Sequence, residues 1–267
     1  MTTTDPTSTF SPQHQALVDS VLLRQGASIQ SERIAYEHDG SSLEGSLAWD
    51  SSATGPRPGV LVIHDWYGEG EYVHARAEML ARLGYVAFAA DIYGAGVRPQ
   101  GDEAPAVAGA FYADQQLLRA RVEAGFDRLR SDSRVDPDRI AVIGYCFGGS
   151  ATLEFARTGA PIAGAVSFHG GLITHEPADV ADLRAPLLVL TGADDPVVPD
   201  EAVVAFENEM RARPELDWQV VSYSGAPHAF TQPMLASYRP KADARSWAAM
   251  EAFLDEVFAS ATVARDH

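Results

Sequence analysis

The sequence predicts an α/β fold, with a mostly parallel, doubly wound sheet, an antiparallel N-terminal hairpin and helices on both faces. After residue 55, continuous apolar runs of strand length alternate with helical patterns, which is typical of buried parallel strands joined by crossover helices. Before residue 55, two runs of alternating polar and apolar residues flank Asp39-Gly40, which is a hairpin turn pair. A chain of 267 residues can bury one large core, so no second domain is required.

The N-terminal half is predicted to contain an extension and the first part of the sheet. Residues 1–30 form the extension, partly disordered or helical, because its start is rich in Thr, Ser and Pro and a short amphipathic helix is predicted at about 13–24. Residues 31–267 form the domain. Its first elements are strands at 33–38, 43–49 and 59–64, a helix at 72–83, a strand at 85–91, a Gly- and Pro-rich loop at 93–105 and a helix at 107–130.

The alternation of strands and helices continues to the end of the chain. The later elements are strands at 139–143, 162–168, 186–191 and 218–223, and helices at 147–158, 200–213 and 241–260. In a doubly wound sheet the site lies beyond the carboxyl ends of the strands. The residues that directly follow strands are therefore the candidates for chemistry.

Composition limits the classes of partner and compartment. The chain has 37 Asp and Glu against 20 Lys and Arg, and its net charge of −17 would repel nucleic acid and anionic membranes. That excess marks either a solubilising face or salt adaptation. The chain starts without a signal-peptide pattern, has no apolar run near the ~20 residues of a membrane span and has one cysteine, so no internal disulfide. We expect a cytoplasmic monomer or homodimer that binds a small molecule, with no nucleic acid or membrane partner.

The single cysteine, Cys146, lies in Gly144-Tyr145-Cys146-Phe147-Gly148-Gly149, directly after a predicted strand. Glycines in a sharp strand-to-helix turn remove Cβ atoms that would clash, and such a turn lifts a nucleophile into a cleft. The helix that follows directs its N–H groups and positive dipole end at the thiol, which favours the thiolate. The backbone N–H of Phe147 would face the oxyanion of an attacked carbonyl. The alternative is a buried cysteine that acts as a small apolar side chain.

Two later strand ends supply partners for this thiol. Asp194 and Asp195 follow one predicted strand, and His228 follows the last one. The order nucleophile, acid, histidine is that of the α/β-hydrolase triad. Either aspartate can serve as the acid; Asp195 is favoured because Pro196 fixes the backbone after it, and the other aspartate can cap the turn. The alternative for His228 is a capped surface histidine.

Other titratable residues also follow predicted strands. Asp65 is either a local turn residue or a second carboxylate that controls the thiol. Several histidines lack the spacing of metal ligands, such as H-x-x-x-H on a helix: His64, His74, His169 and His175. We therefore expect neither a metal nor another cofactor.

From about Ile34 to Phe258 the chain resembles the dienelactone hydrolases (carboxymethylenebutenolidases) of the α/β-hydrolase superfamily. The resemblance is carried by the hexapeptide around Cys146, Asp195-Pro196-Val197-Val198-Pro199 and His228-Ala229-Phe230, with weaker support from His64-Asp65-Trp66-Tyr67-Gly68 and from 83–87 and 91–94. It implies an α/β-hydrolase fold in which Cys146 is the nucleophile, His228 the base and Asp195 its orienting acid. It also implies an oxyanion hole formed by the N–H groups of Phe147 and Trp66.

The chain departs from the pattern of this family at two places. Asp65 stands where the family has a glutamate that takes the thiol proton when substrate enters. Gln232 stands where the family has an arginine that holds a substrate carboxylate, and Arg98 is the candidate for a second such arginine. Tyr67, Phe230 and Arg98 are expected to line a small, partly apolar substrate pocket.

The nucleophile itself limits the substrates. A tetrahedral intermediate expels its weaker base, and cysteine (pKa ~8.5) competes with phenols (~10) far better than with alkoxides or amide nitrogens. The sequence therefore predicts a carboxylic ester hydrolase that cleaves an activated ester or enol lactone through an acyl-enzyme on Cys146. The alternatives are a thioesterase or acyltransferase on the same triad, and a thiol-sensing or binding module without turnover.

Overall fold

A computed structural model describes residues 10–173, 175 and 181–263, in two compact units, 1–140 and 141–267. Within the described residues, eight strands alternate with seven helices, and the predicted α/β class is confirmed. The predicted disorder falls mainly on residues 1–9, which lie outside the described part of the chain. The division into an extension at 1–30 and a domain at 31–267 stays a prediction.

The first unit contains the predicted hairpin, and its strands are ordered β1-β2-β4-β3. β1 pairs antiparallel with β2, and β2 with β4, whereas β3 and β4 are parallel. The hairpin is therefore an antiparallel addition to parallel strands, as the sequence predicted. The elements of this unit are α1 (Pro12–Asp19), β1 (Ile29–His38), β2 (Ser41–Asp50), β3 (Arg57–Ile63), α2 (Glu71–Leu83), β4 (Val86–Ala90), α3 (Glu103–Ala113) and α4 (Gln115–Arg130).

The second unit contains parallel strands in the order β5-β6-β7-β8. Its elements are β5 (Val135–Tyr145, within this unit from Ala141), α5 (Phe147–Arg157), β6 (Gly164–Phe168), β7 (Leu187–Gly192), α6 (Asp200–Arg211), β8 (Trp218–Tyr223) and α7 (Pro240–Val263). All residues of β6 and β7 are buried, as in strands that are covered on both faces. Because these strands are parallel, the segments that follow them leave the sheet at the same edge.

The structure corrects the prediction of one long helix at 107–130. α3 begins earlier, at Glu103, and ends at Ala113, and α4 begins at Gln115. Between them Asp114 leaves the helical conformation, and its carboxylate accepts a hydrogen bond from the Leu117 N–H at 2.9 Å. An N-cap aspartate of this kind starts a new helix without a glycine or proline, the residues that mark a helix break most strongly in a sequence.

The segment before β1 packs against α2. The Ser11 N–H donates to the Glu71 carboxylate, and the Arg82 guanidinium donates to Asp19 at 3.2 Å and to the Val21 carbonyl at 3.2 Å. The helix predicted at 13–24 is present but shorter, as α1 at Pro12–Asp19. Of the helices in the described ranges, none combines the length and apolarity needed to cross a membrane.

Two glycine contacts fix the turn after β5. A Cβ atom on Gly144 would lie 2.0 Å from the Gly148 carbonyl oxygen, and one on Gly149 would lie 2.8 Å from the Gly170 Cα. Neither side chain fits, because the neighbours are backbone atoms that cannot move aside cheaply. The first turn of α5 is thus packed directly against the end of β5 and against the segment that follows β6.

We predict that Gly144→Ala lowers the free energy of unfolding by about 3 kcal/mol, since the new methyl group overlaps backbone atoms. The matched control is Gly109→Ala in α3, where an added Cβ meets nothing within 4 Å. That control should raise stability by about 0.5–1 kcal/mol, the usual gain of alanine over glycine inside a helix. Urea unfolding of both variants measures the difference; equal stabilities would contradict the close packing at Gly144.

Candidate active site

Cys146 occupies the N-cap position of α5 in a backbone conformation that non-glycine residues seldom adopt, with φ 55° and ψ −113°. Its N–H donates to the Phe168 carbonyl at 2.9 Å, and its carbonyl accepts from the N–H groups of Gly149 and Ser150 at 3.0 and 3.2 Å. The thiol is partly exposed. Phe147 is the first residue of α5, so its N–H belongs to the turn whose donors point out of the helix start. This geometry is that of a strand–turn–helix nucleophile position.

His228 connects the thiol to a carboxylate. Its Nε2 lies 3.1 Å from Cys146 Sγ, and its Nδ1 lies 2.9 Å from Asp195 Oδ2. The second carboxylate oxygen of Asp195 accepts from the N–H groups of Val197 and Val198 at 2.8 and 3.1 Å. The carboxylate is thereby held in place, and it orients the ring so that the other nitrogen faces the sulfur.

The loops that carry Asp195 and His228 are joined by a close backbone contact. A Cβ atom on Gly192, at the end of β7, would lie 2.2 Å from the Ala226 carbonyl oxygen. That same oxygen accepts the N–H of Asp194 at 3.0 Å. Asp194 itself is exposed, whereas Asp195 is 5% exposed. Of the two candidate acids, the structure places Asp195 against His228.

The electrostatics of this group favour a protonated ring. Burial alone would lower the pKa of His228, but the hydrogen bonds to Asp195 and to Cys146, with the charges of both, outweigh it and raise the pKa to about 10. An imidazolium that faces sulfur on one side and a carboxylate on the other is stabilised by both. The arrangement therefore suits a protonated His228 ring at neutral pH, with one nitrogen facing the sulfur of Cys146.

Three predicted site residues follow β3 in the first unit. Asp65 Oδ1 accepts the Tyr67 N–H at 2.7 Å, and the Asp65 carbonyl accepts the Gly68 N–H at 3.2 Å. Asp65 is thus a turn residue. The other role considered for it, control of the Cys146 thiol, stays a prediction. The Trp66 ring is 36% exposed and packs edge-on against Tyr67, with ring centroids 5.6 Å apart. The roles of the Trp66 N–H in an oxyanion hole and of Tyr67 in a substrate pocket also stay predictions.

The buried ring of His64 holds the same turn through hydrogen bonds. It is fully buried, its Nδ1–H donates to the Asp65 carbonyl at 2.6 Å, and its Nε2 accepts the Ile92 N–H at 3.1 Å. Burial lowers the pKa of His64. The neutral ring, with one donor and one acceptor, matches these two bonds and ties the segment after β3 to the segment after β4.

Arg98 takes part in an ion cluster that the sequence did not indicate. Its guanidinium donates to the Glu69 carboxylate at 2.7 Å and to the Val97 carbonyl at 2.8 Å. Glu69 is fully buried and also accepts from Arg33, at 2.9 Å, and from His74. Burial opposes its ionisation, but His74 and the two arginines outweigh that effect and lower the pKa of Glu69. Arg98 is thus paired with Glu69, and its predicted role in lining the substrate pocket stays a prediction.

Phe230 lies behind the histidine in the second unit. It is fully buried, and its ring packs against the rings of Tyr223 and His169, with centroids 5.5 and 5.3 Å away. Its predicted contact with substrate is not tested by this packing. His169, which the sequence indicated only as a histidine without metal-ligand spacing, directly follows β6, and its Nε2 lies 2.7 Å from Thr231 Oγ1. The strand-end rule that found the other residues applied to His169 as well.

The histidines considered as metal ligands bind protein groups instead. His74 pairs with Glu69, and His175 Nε2 lies 2.7 Å from Glu154 Oε1. Across the part of the chain that the structure describes, no group of three or more His, Cys, Asp or Glu side chains is arranged to hold a metal ion.

Comparisons with known proteins show which family this chain is similar to. The model of the dienelactone hydrolase family matches residues 43–258. A crystal structure of a dienelactone hydrolase-like promiscuous phosphotriesterase from metagenomic libraries is 37% identical, with a TM-score of 0.83 over 87% of this chain and 99% of that chain. The "Putative carboxymethylenebutenolidase" of Salmonella typhimurium is 28% identical over 90% of both chains. A "Probable 2-oxo-3-(5-oxofuran-2-ylidene)propanoate lactonase" of Bradyrhizobium sp. is 30% identical over 73% of this chain and 82% of its own.

We predict that Asp195→Asn lowers turnover of an aryl ester by about 10³-fold, since the amide no longer stabilises the imidazolium or selects the correct ring tautomer. Removing this carboxylate lowers the pKa of His228, so alkylation of Cys146 by iodoacetamide should slow most below pH 8. Asp194→Asn is the matched control and should change neither rate by more than about twofold, within the ±0.5 kcal/mol typical of surface substitutions. A larger loss at Asp194 than at Asp195 would show the assignment of the acid to be wrong.

Proposed function

This chain belongs to the dienelactone hydrolase family, and we propose that it cleaves activated esters or enol lactones through a thioester acyl-enzyme on Cys146. Membership makes it a hydrolase of the carboxymethylenebutenolidase-like class, acting on lactones or esters. An enzyme is thereby favoured over a thiol-sensing or binding module.

The observation that carries the proposal is the continuous line of contacts from Asp195 through His228 to Cys146. A sensor needs only a reactive thiol. Here the histidine is within reach of the sulfur, at 3.1 Å, and is itself oriented by a buried carboxylate at 2.9 Å. That combination supports acid–base work by the histidine as well as attack by the sulfur.

The proposed reaction has two halves. The Cys146 thiolate attacks the carbonyl carbon, a C–S bond forms, and the carbonyl electron pair moves to oxygen. The intermediate then collapses with cleavage of the C–O bond, and the leaving oxygen takes the proton from His228. In the second half, His228 takes a proton from water, the resulting hydroxide attacks the thioester, and the acid leaves as the thiolate is restored. Asp195 stays ionised throughout and stabilises the imidazolium.

Leaving-group chemistry limits the first half. Phenolates and enolates leave in competition with a thiolate, whereas alkoxides do not, because they are much stronger bases. Aryl esters and enol lactones are therefore the proposed substrates. A thioester substrate satisfies the same rule, so thioesterase or acyl-transfer activity on this triad is the alternative, which differs in the leaving group or in the final acceptor.

Stabilisation of the oxyanion is assigned by the proposal to backbone donors. Phe147 contributes its N–H from the first turn of α5, where the helix dipole adds positive potential. By resemblance to the family, the Trp66 N–H is the second donor, and Asp65 governs the proton on the thiol. The proposed setting is a cytoplasmic monomer or homodimer that works without a cofactor.

The test is turnover of 4-nitrophenyl acetate, of a cis-dienelactone and of ethyl acetate by wild type and by Cys146→Ala. We expect wild-type hydrolysis of an activated substrate, a burst of about one nitrophenolate per chain if deacylation is slow, and little hydrolysis of ethyl acetate. Cys146→Ala should lose about 10³-fold or more, the scale on which removal of a triad member acts.

Two results would defeat the proposed mechanism. One is a Cys146→Ala variant that keeps wild-type turnover, and the other is a wild type that hydrolyses neither activated substrate. Including a phenyl thioester and a thiol acceptor separates the alternatives, since faster thiolysis than hydrolysis identifies an acyltransferase. Mass spectrometry of the quenched burst locates the acyl group on Cys146.

A second candidate activity is hydrolysis of phosphotriesters, and it rests on the metagenomic structure that is 37% identical and is described as a promiscuous phosphotriesterase. The same thiolate would attack phosphorus, forming an S–P bond while an aryloxide leaves with the His228 proton. Water would then cleave the S–P bond. The chemistry demands the same acidic leaving group as ester cleavage.

We predict that wild type releases nitrophenolate from diethyl 4-nitrophenyl phosphate and that Cys146→Ala does not. Turnover requires cleavage of the S–P bond, whereas a single equivalent followed by inactivation indicates a stable phosphorylated thiol. Both outcomes retain attack by Cys146. Absence of release and of inactivation at millimolar phosphotriester would remove this second activity and leave the ester hydrolase proposal standing.

A further inference from the structure

His169 follows the strand next to Cys146, and the proposed reaction gives it no role. It directly follows β6, and its N–H donates to the Leu190 carbonyl at 2.8 Å, which continues the β6–β7 pairing. The residue before it, Phe168, accepts the Cys146 N–H at 2.9 Å. The backbone at His169 is therefore fixed to the strands on both sides.

The segment after His169 is fixed just as closely. A Cβ atom on Gly170 would lie 2.6 Å from the Gly149 carbonyl carbon and 2.6 Å from the Ser150 nitrogen. The Ser150 hydroxyl also donates to the Gly171 carbonyl at 3.0 Å. The first turn of α5 and the chain after β6 are in direct backbone contact, so His169 cannot shift without moving the start of α5.

The imidazole of His169 touches the catalytic histidine and its loop. Its ring is 1% exposed and meets the His228 ring edge-on, with centroids 5.5 Å apart and planes at 68°. Its Nε2 lies 2.7 Å from the hydroxyl of Thr231, which is fully buried. One side chain thus contacts both His228 and the residue three positions further along the same loop.

That loop has a conformation that needs support. Within the described ranges, positive φ occurs at four non-glycine residues, and three of them belong to this site: Cys146 at 55°, His169 at 41° and Ala229 at 57°. Ala229 lies between His228 and Thr231. A left-handed conformation is strained for alanine, so the surroundings must hold it.

We propose that His169 is a positioning residue that sets the plane of the His228 ring, by packing against it and by holding Thr231 at the far side of the Ala229 turn. The proposal rests on the proposed function, because it assigns His169 a part in proton transfer by His228. An aromatic ring alone supplies the packing. The bond to Thr231 is what a histidine adds.

The plane of the ring matters because two bonds depend on it at once. The His228 ring must keep one nitrogen on Asp195 and the other on Cys146 while its proton comes and goes. The torsion that turns an imidazole has a broad, roughly two-fold well, so the side chain itself does not hold this angle. The titratable groups seen to face the ring are Asp195, Cys146 and His169, and of these His169 alone contacts both the ring and the Thr231 end of its turn.

The test compares Thr231→Val, which removes the hydroxyl with little change of shape, with Thr231→Ser, which keeps it. His169→Phe keeps a ring and removes the nitrogen. In Thr231→Val and His169→Phe we expect kcat for 4-nitrophenyl acetate to fall about tenfold or more with KM within twofold, since misplacement of a reacting group costs rate on this scale. Thr231→Ser should keep kcat within about threefold. The double variant should be no slower than the slower single variant.

Alkylation of Cys146 by iodoacetamide between pH 5 and 9 supplies the second readout. A tilted His228 stabilises the thiolate less, so the acid limb should move to higher pH in His169→Phe and in Thr231→Val, and not in Thr231→Ser. Wild-type profiles and wild-type kcat in both of the first two variants would overturn the proposal. So would additive losses in the double variant, or losses that follow the melting temperature equally in Thr231→Val and Thr231→Ser. Failure of the proposed function looks different, because wild type would then show no turnover that depends on Cys146.

Discussion

The close contact between the backbones of Gly144 and Gly148 is the constraint on which the rest of the site depends. A Cβ atom on Gly144 would lie 2.0 Å from the Gly148 carbonyl oxygen. The chain therefore passes from β5 to α5 through a turn so sharp that its two backbones touch. Cys146 takes the strain of that turn, at φ 55°. Strain of about 1–3 kcal/mol persists only where the surroundings leave no alternative. The turn therefore holds the sulfur at one place, and the other groups of the site must be brought to it.

The other groups reach the sulfur because each strand end is fixed to its neighbour. Phe168 binds the Cys146 N–H, His169 binds Leu190, and Gly192 abuts Ala226. Asp195, His228 and Cys146, the proposed acid, base and nucleophile, thus stand on three different loops at a single edge of parallel strands. Catalytic groups held in this way need no reorganisation when substrate arrives, which is the main physical source of rate in acyl transfer. The same contacts leave little freedom for replacement of the small residues between them.

The sequence predicted three residues that the structure brings into contact. Cys146 and His228 each follow a strand, and Pro196 favoured Asp195 over its neighbour; their roles in catalysis stay predictions. His169 obeyed the same rule and was overlooked, because its use depends on the direction of its ring. That direction follows from a φ of 41° and from Thr231, neither of which has a pattern in the sequence. Local pattern predicts where a side chain stands and does not predict which neighbour it will touch.

The ion pairs of the buried Glu69 are likewise not predictable from the local sequence, and they involve Arg98. Its carboxylate pairs with His74, five residues further along the chain, and with Arg33 and Arg98, which come from two distant stretches. An ionised carboxylate is unfavourable at a buried position unless cationic partners compensate its charge. Arg98 also lies 3.8 Å from the Asp91 carboxylate. Its positive charge is therefore balanced before any substrate arrives, and its first effect is to anchor the segment after β4 to Glu69.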